Sequence, residues 1–369
     1  MTRTSGMANA INMAAAYRNR RHILIVGGAG YIGSVLTEHL LVAGYRVRCF
    51  DELIYENGLA VVPYLSNPNY EFMRGDLGDP SQLIAAMDSA TDVVLLAGLV
   101  GDPITRKYPT EAARINDDGH ATMTRIMSGR GLNRVVFVST CSNYGMIEND
   151  RPADEEHELK PLSPYAEAKV RMEKRLQSLH GQVDYTPTIL RFATAFGLSP
   201  RMRFDLTVNE FTRTLFHGQT LLVYDAHTWR PYCHVQDFAD VISRTLNAPV
   251  DAVAFEIFNA GGDVNNFTKK MIVETIMREL PSGRVTYQTQ GSDPRNYRVS
   301  FAKIRERLGF EPRHTVCDGV RELVAALRQG LFLDISQPKS FHGNWTLKCA
   351  KGEPDECRPL AAGPPNPST

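Results

Sequence analysis

From Arg21 onward, short β-branched and apolar runs alternate with segments whose apolar residues recur three and four positions apart. A strand buried on both faces reads as a continuous apolar run, and its crossover helix is apolar along one stripe, so this alternation predicts parallel strands covered by helices. Strands are expected at residues 22–26, 46–50, 70–74, 92–96, 134–139 and 187–192, and helices at 31–42, 80–87, 110–129, 164–179 and 237–246. The fold class is therefore α/β, a Rossmann-type doubly wound parallel sheet in a first domain at 21–196. The alternation fades near residue 196. A smaller C-terminal substrate domain is expected from 197–230 and 263–333, with 231–262 returning to the first domain. Residues 1–20 and 334–369, the latter ending in a Pro-rich stretch, read as mobile extensions.

Composition narrows the function. The 369 residues are 43% apolar, enough for a large core, and Lys+Arg and Asp+Glu both total 41. With no excess of either sign, neither a nucleic acid nor an anionic membrane is an expected partner. Apolar runs such as 93–100 fall short of a spanning helix, and residues 1–20 lack the apolar core of a secretory leader, so a cytoplasmic location is expected. The six cysteines include no CxxC pair and have no histidine at zinc spacing, which predicts reduced thiols and no metal site.

The string VGGAGYIGS sets Gly27, Gly30 and Gly33, with Tyr31 and Ile32 between them, directly after the first strand and at the opening of a helix. A turn of this kind lets backbone N–H groups and the helix dipole approach a pyrophosphate, where a Cβ would hold it off. The spacing is GxxGxxG. Asp51 closes the second strand, where a carboxylate can accept both hydroxyls of an adenosine ribose and would repel a 2′-phosphate, favouring NAD over NADP. Asp76, followed by Leu77 in RGDL, is a further candidate for the adenine end.

In SPYAEAK, Ser163 reads as an N-cap and Pro164 as the first helical residue, so Tyr165 and Lys169 share one helix face. An ammonium near a phenol lowers its pKa towards neutrality, which would let Tyr165 accept a proton. YxxxK alone also describes a surface pair on an amphipathic helix. Thr140, however, stands at the carboxyl end of the fifth strand, where doubly wound sheets bind ligands.

GGAGYIG, the strand-end Asp51, LAG at 96–98, RINDDG, FVSTCSNYG, YAEAK, RPYCHVQD and DPRNYRVSFAKIRERLGFEP occur in the order seen in extended short-chain dehydrogenases/reductases. Over about residues 22–330 the chain resembles the NAD-dependent epimerase/dehydratase family, which acts on nucleotide sugars. The resemblance implies that Thr140 binds the reacting sugar hydroxyl, that Tyr165 is the catalytic acid and base, and that Lys169 holds the nicotinamide ribose and tunes Tyr165. It implies NAD contacts from Ala97 and Gly98 and from Asn116, which also helps hold the central helix. Arg230 and Arg295 are placed against the substrate diphosphate, and Arg203 and Asn209 are further substrate contacts. His234 reads as a packed structural residue. Similar family members pair through the helices at 110–129 and 164–179, which implies a homodimer; Ile115, Met123, Ile126 and Met172 fit that contact and fit ordinary core equally well.

Two departures refine this. RFATAFGLSP carries Thr194 and Phe196 where family members commonly have Asn and Tyr, and Cys141 and Ser142 follow Thr140 where 4,6-dehydratases carry acids. Without those acids, loss of water lacks proton carriers. The expected activity is NAD-dependent epimerisation, at C4 of a nucleotide-linked hexose or heptose, through a transient 4-keto intermediate. A ketosugar reductase using NAD(P)H and a non-catalytic nucleotide sensor are the alternatives.

Overall fold

The computed structural model describes residues 18, 20–147, 151–291, 293–332 and 342–347. Seven parallel strands form the central sheet: β1 (His22–Val26), β2 (Arg46–Asp51), β3 (Tyr70–Arg74), β4 (Asp92–Leu95), β5 (Arg134–Thr140), β6 (Pro187–Phe192) and β10 (Ile257–Ala260). Their spatial order is β10-β6-β5-β4-β1-β2-β3. The chain leaves β1 to one side for β2 and β3, then returns to its other side for β4, so the crevice for a ligand lies between the carboxyl ends of β1 and β4. A second sheet holds β7 (Thr194–Phe196), β9 (Trp229–His234) and β11 (Asn266–Thr268), and a third pairs β8 (Thr220–Tyr224) with β12 (Arg284–Gln288).

Successive strand residues point to opposite faces, and β1 divides accordingly. Ile23 and Ile25 enter a core with Val35 and Leu36 of helix Tyr31–Val42 and with Phe238 and Ile242 of helix Val235–Asn247. Leu24 and Val26 enter the other, with Met123, Met127, Met172 and Leu176. Both faces are covered, which is why these strands read as unbroken apolar runs.

The long helix expected at 110–129 is three pieces: Pro109–Ala113, a π-helical turn at Arg114–Gly119, and His120–Met127. Gly119 packs so closely on Leu77 that a Cβ there would lie 2.9 Å from its Cγ. The apolar residues expected to mark a dimer face are filled from within. Ile115, Met123 and Met172 are buried in the chain's own core, and Ile126 packs against it.

The expected N-terminal extension lies almost wholly outside the described residues, as do 334–341 and 348–369 of the tail. Residues 342–347 are a correction: they pack on the body of the protein. Among the described residues, no helix is long and apolar enough to cross a membrane.

Candidate active site

A cavity of about 810 Å³ opens along the carboxyl ends of the strands. Gly27, Gly30, Tyr31, Ile32, Gly33, Asp51, Asp76, Leu77, Ala97 and Gly98 line one end, and Thr140, Tyr165, Lys169, Arg203, Arg230 and Arg295 line the rest.

The glycine turn is a close-packed cradle. Gly27 has φ +90°, and a Cβ on it would sit 2.6 Å from the Ala97 nitrogen. A Cβ on Gly33 would strike the Gly27 carbonyl. The helix that follows has Gly30 as N-cap, no side-chain cap and no acid in its first turn, which leaves its N–H groups and positive dipole end for an anion. Asp51 is half-buried beside it and accepts from Ala29 N at 3.0 Å and Leu53 N at 2.9 Å. Burial pushes its carboxyl up, and these N–H donors pull it back. Asp76 accepts from Gly78 N at 2.7 Å and pairs with Arg114 at 2.5 Å. A turn with no room for a Cβ at Gly27, Gly28 or Gly33, an uncapped helix end and a strand-end carboxylate with no basic neighbour just past the strand fit a dinucleotide without a 2′-phosphate.

Thr140 ends β5, and the helix Pro164–Ser178, capped by Ser163 through Ala166 N at 3.3 Å, brings Tyr165 to it. The Thr140 hydroxyl is close enough to act on the Tyr165 phenol. Burial pushes the Tyr165 phenol up strongly; Arg203 is the largest opposing charge, with the Thr140 hydroxyl and Arg295 also lowering it and Asp102 raising it. Lys169 departs from expectation. Its Nζ donates to the Val138 carbonyl at 2.8 Å and lies 6.0 Å from the Tyr165 ring centroid, and it is not among the main influences on the phenol. Burial pulls Lys169 itself down to about 7, against the charge of Glu173.

Glu173, one helical turn beyond Lys169, anchors a buried network behind the site. It accepts from Ser139, from Asn143 Nδ2 at 2.8 Å and from Arg191 Nη2 at 2.8 Å. Arg191 in turn donates to Tyr144 Oη at 3.0 Å, and Tyr144 to Asn259 Oδ1 at 2.6 Å. The i,i+4 spacing from Lys169 was a signal for Glu173; nothing local signalled Arg191 as its partner.

The arginines arrive already paired. Arg203 forks onto Asp205 at 3.0 and 2.5 Å. Arg295 holds Asp293 at 2.8 and 2.9 Å and reaches Asp102 at 3.0 Å. Burial pushes the Asp293 carboxyl up, but the Arg295 hydrogen bond and the Arg230 charge outweigh it and hold it well below the usual carboxylate range. Arg230 Nη2 lies 3.1 Å from Asp293, buried and with no well-formed hydrogen bond, so it is a donor with capacity left for an anion.

Two expected contacts turn inward instead. Asn116 spends its amide on Leu99, accepting from N at 2.8 Å and donating to O at 3.0 Å, and thereby fixes the loop after β4. Asn209 is fully buried, accepting from Gly197 N and donating to the Arg203 carbonyl at 2.9 Å, so it positions Arg203. Thr194 lines the cavity, whereas Phe196 packs edge-on against His234, which itself bonds Glu322 at 2.9 Å.

Residues 23–261 match the model of the NAD dependent epimerase/dehydratase family. The chain belongs to that family. As an enzyme of this NAD-dependent family it is similar to a dTDP-glucose 4,6-dehydratase of Streptomyces niveus, 29% identical over 82% of this chain and 91% of that protein. It is also similar to a UDP-glucose 4-epimerase of Lacticaseibacillus casei, 28% identical over 81% of this chain and 94% of that protein. Among solved structures, a Thermus thermophilus UDP-glucose 4-epimerase in complex with NAD superposes with a TM-score of 0.72 at 23% identity, over 83% of this chain and 99% of that one. Its relatives thus include both epimerases and dehydratases, so the fold alone does not set the reaction.

Proposed function

We propose that this chain is a nucleotide-sugar epimerase that inverts C4 of a hexose or heptose through a 4-keto intermediate, with NAD retained throughout. The reading is carried by one observation: Thr140 and Tyr165 stand together in the cavity wall, and Thr140 is followed by Cys141 and Ser142 rather than by an acid. Cys141 is buried, its thiol bonded to the Arg191 carbonyl at 3.1 Å and pushed up by burial, and so is no proton carrier at neutral pH. Asp102, Asp205 and Asp293, which also line the cavity, are each held by a guanidinium. The paired aspartates and the buried thiol favour removal of a hydroxyl proton over elimination of water.

In this reading NAD, held by the glycine turn and Asp51, supplies the hydride acceptor for the first half of the reaction and the donor for the second. Thr140 orients the sugar hydroxyl, and Tyr165 takes its proton and later returns it. Arg203 and Arg295 face the phenol and favour its ionised form against burial and Asp102. Arg230, with donor capacity to spare, is assigned to the diphosphate, keeping the nucleotide anchored while the keto sugar presents its other face. The small residues from Ala97 to Gly101 leave room for that turn.

The test is a panel of UDP-, GDP-, ADP-, CDP- and dTDP-sugars incubated with purified protein and no added cofactor, with products followed by NMR. Inversion at C4 is expected. A 4-keto-6-deoxy product would make the enzyme a dehydratase, and a stoichiometric demand for NAD(P)H a reductase. The homodimer implied by the family resemblance is a separate proposal, tested by sedimentation equilibrium.

A further inference from the structure

Residues 342–347 bridge two loops at the cavity. Phe204 N donates to the His342 carbonyl at 2.8 Å, and Arg201 Nη2 to the Gly343 carbonyl at 3.1 Å. On the other side Asn344 Nδ2 donates to the Val100 carbonyl at 2.8 Å, and Lys107 Nζ to the Trp345 carbonyl at 3.1 Å. The bridged loops carry Asp102 and Arg203, whose charges act on Tyr165. Asn344 and Trp345 therefore line the cavity close to its reactive end.

Asn344 is 7% exposed, and with its amide nitrogen committed to Val100 its Oδ1 is buried and has no partner. Asp102, in the same wall, keeps Oδ2 on Arg295 while its Oδ1 is likewise buried and unpartnered. Buried acceptors left open are unfavourable unless a ligand donates to them. Both oxygens are acceptors only, so the complementary ligand surface carries O–H or N–H groups; phosphate oxygens would be repelled and an apolar group would leave both unsatisfied.

We infer that Asn344 is a specificity-determining residue: its side-chain carbonyl accepts a hydroxyl of the sugar portion of the substrate, beside the wall formed by Trp345. The assignment rests on the functional reading above and names what the C-terminal segment adds to it. A hydroxyl-bearing sugar is retained at the reactive end, and a sugar lacking that hydroxyl is not.

The test uses the full chain with its cofactor and isothermal calorimetry. Binding of the nucleotide sugar selected by the panel is compared with binding of the matching nucleoside diphosphate, in the wild type and in Asn344→Ala. The variant is expected to weaken the nucleotide sugar about tenfold, with the nucleoside diphosphate and NAD content unchanged. In the wild type, a deoxy-sugar series should contain one member weakened by a similar factor, a measurement that needs no variant to fold. Equal weakening of both ligands would reduce Asn344 to a structural tie, and loss of NAD alone would give its oxygen to the nicotinamide carboxamide; either overturns the assignment, as does unchanged binding. A wild-type protein that binds no nucleotide sugar overturns the functional reading, and this assignment with it.

Discussion

The ammonium of Lys169 donates to the carbonyl of Val138, two residues before Thr140 on the same strand. Its burial, opposed by Glu173, holds it down to about 7. A lysine whose native pKa lies below its unfolded value near 10.4 binds fewer protons when folded, so stability rises with pH between those two values. Below about pH 7 the penalty for burying the charge is fully present. Lys169→Met should therefore gain about 1–4 kcal/mol relative to wild type near pH 7, and the gain should shrink towards pH 10. Urea unfolding of both proteins across that range reads it directly, and a gain independent of pH would refute it.

Tyr165→Phe keeps the ring and its packing but removes the hydroxyl that faces the cavity beside Thr140. Turnover should fall by about 10²–10⁴ while bound NAD is retained, measured by product NMR and by nucleotide release on denaturation. Loss of the cofactor along with activity would assign Tyr165 to binding.

Glu173→Ala should destabilise the protein by about 3–5 kcal/mol, because it strands the Arg191 guanidinium, 3% exposed, without its counter-charge. The double variant Glu173→Leu with Arg191→Met should recover most of that loss. Urea midpoints at constant slope provide the comparison.

Gly27→Ala forces a Cβ onto a backbone at φ +90° and into the Ala97 nitrogen. A destabilisation of about 1–3 kcal/mol is expected, together with depleted NAD in the purified protein. An Ala variant with full cofactor content would show that the turn yields more readily than its packing implies.

The sheet was legible because its inner strands, such as His22–Val26, Asp92–Leu95 and Pro187–Phe192, are buried on both faces. The runs at His22–Val26, Tyr70–Arg74 and Pro187–Phe192 carry their own boundaries, and glycine and Pro-Ser punctuation marks the helices between. The place of Thr140 at a strand end and of Tyr165 and Lys169 on one helix was legible from spacing, while their roles came from the family resemblance. What remained hidden depends on contacts far apart in the chain. Helical spacing puts Lys169 near Tyr165, but it carries no information about the Val138 carbonyl that claims the ammonium instead. Arg203 and Arg295 each pair with a carboxylate two residues away, Asp205 and Asp293, but the pairs Arg230–Asp293 and Arg295–Asp102 join segments far apart in the chain. Residues 342–347 have neither periodicity nor a turn signature, so their docking across the cavity leaves no trace in the pattern.

The π-helical turn Arg114–Gly119 has a consequence for how this chain can change. On it Asn116 grips Leu99, and just after it His120 sets one ring nitrogen 3.0 Å from the Ala97 carbonyl. Deleting any one residue from these six would draw the wide turn back to regular winding and pull in the backbone that lets Asn116 reach Leu99 and His120 reach Ala97. The segment can accept altered side chains more readily than a shorter backbone: its length is itself a functional specification.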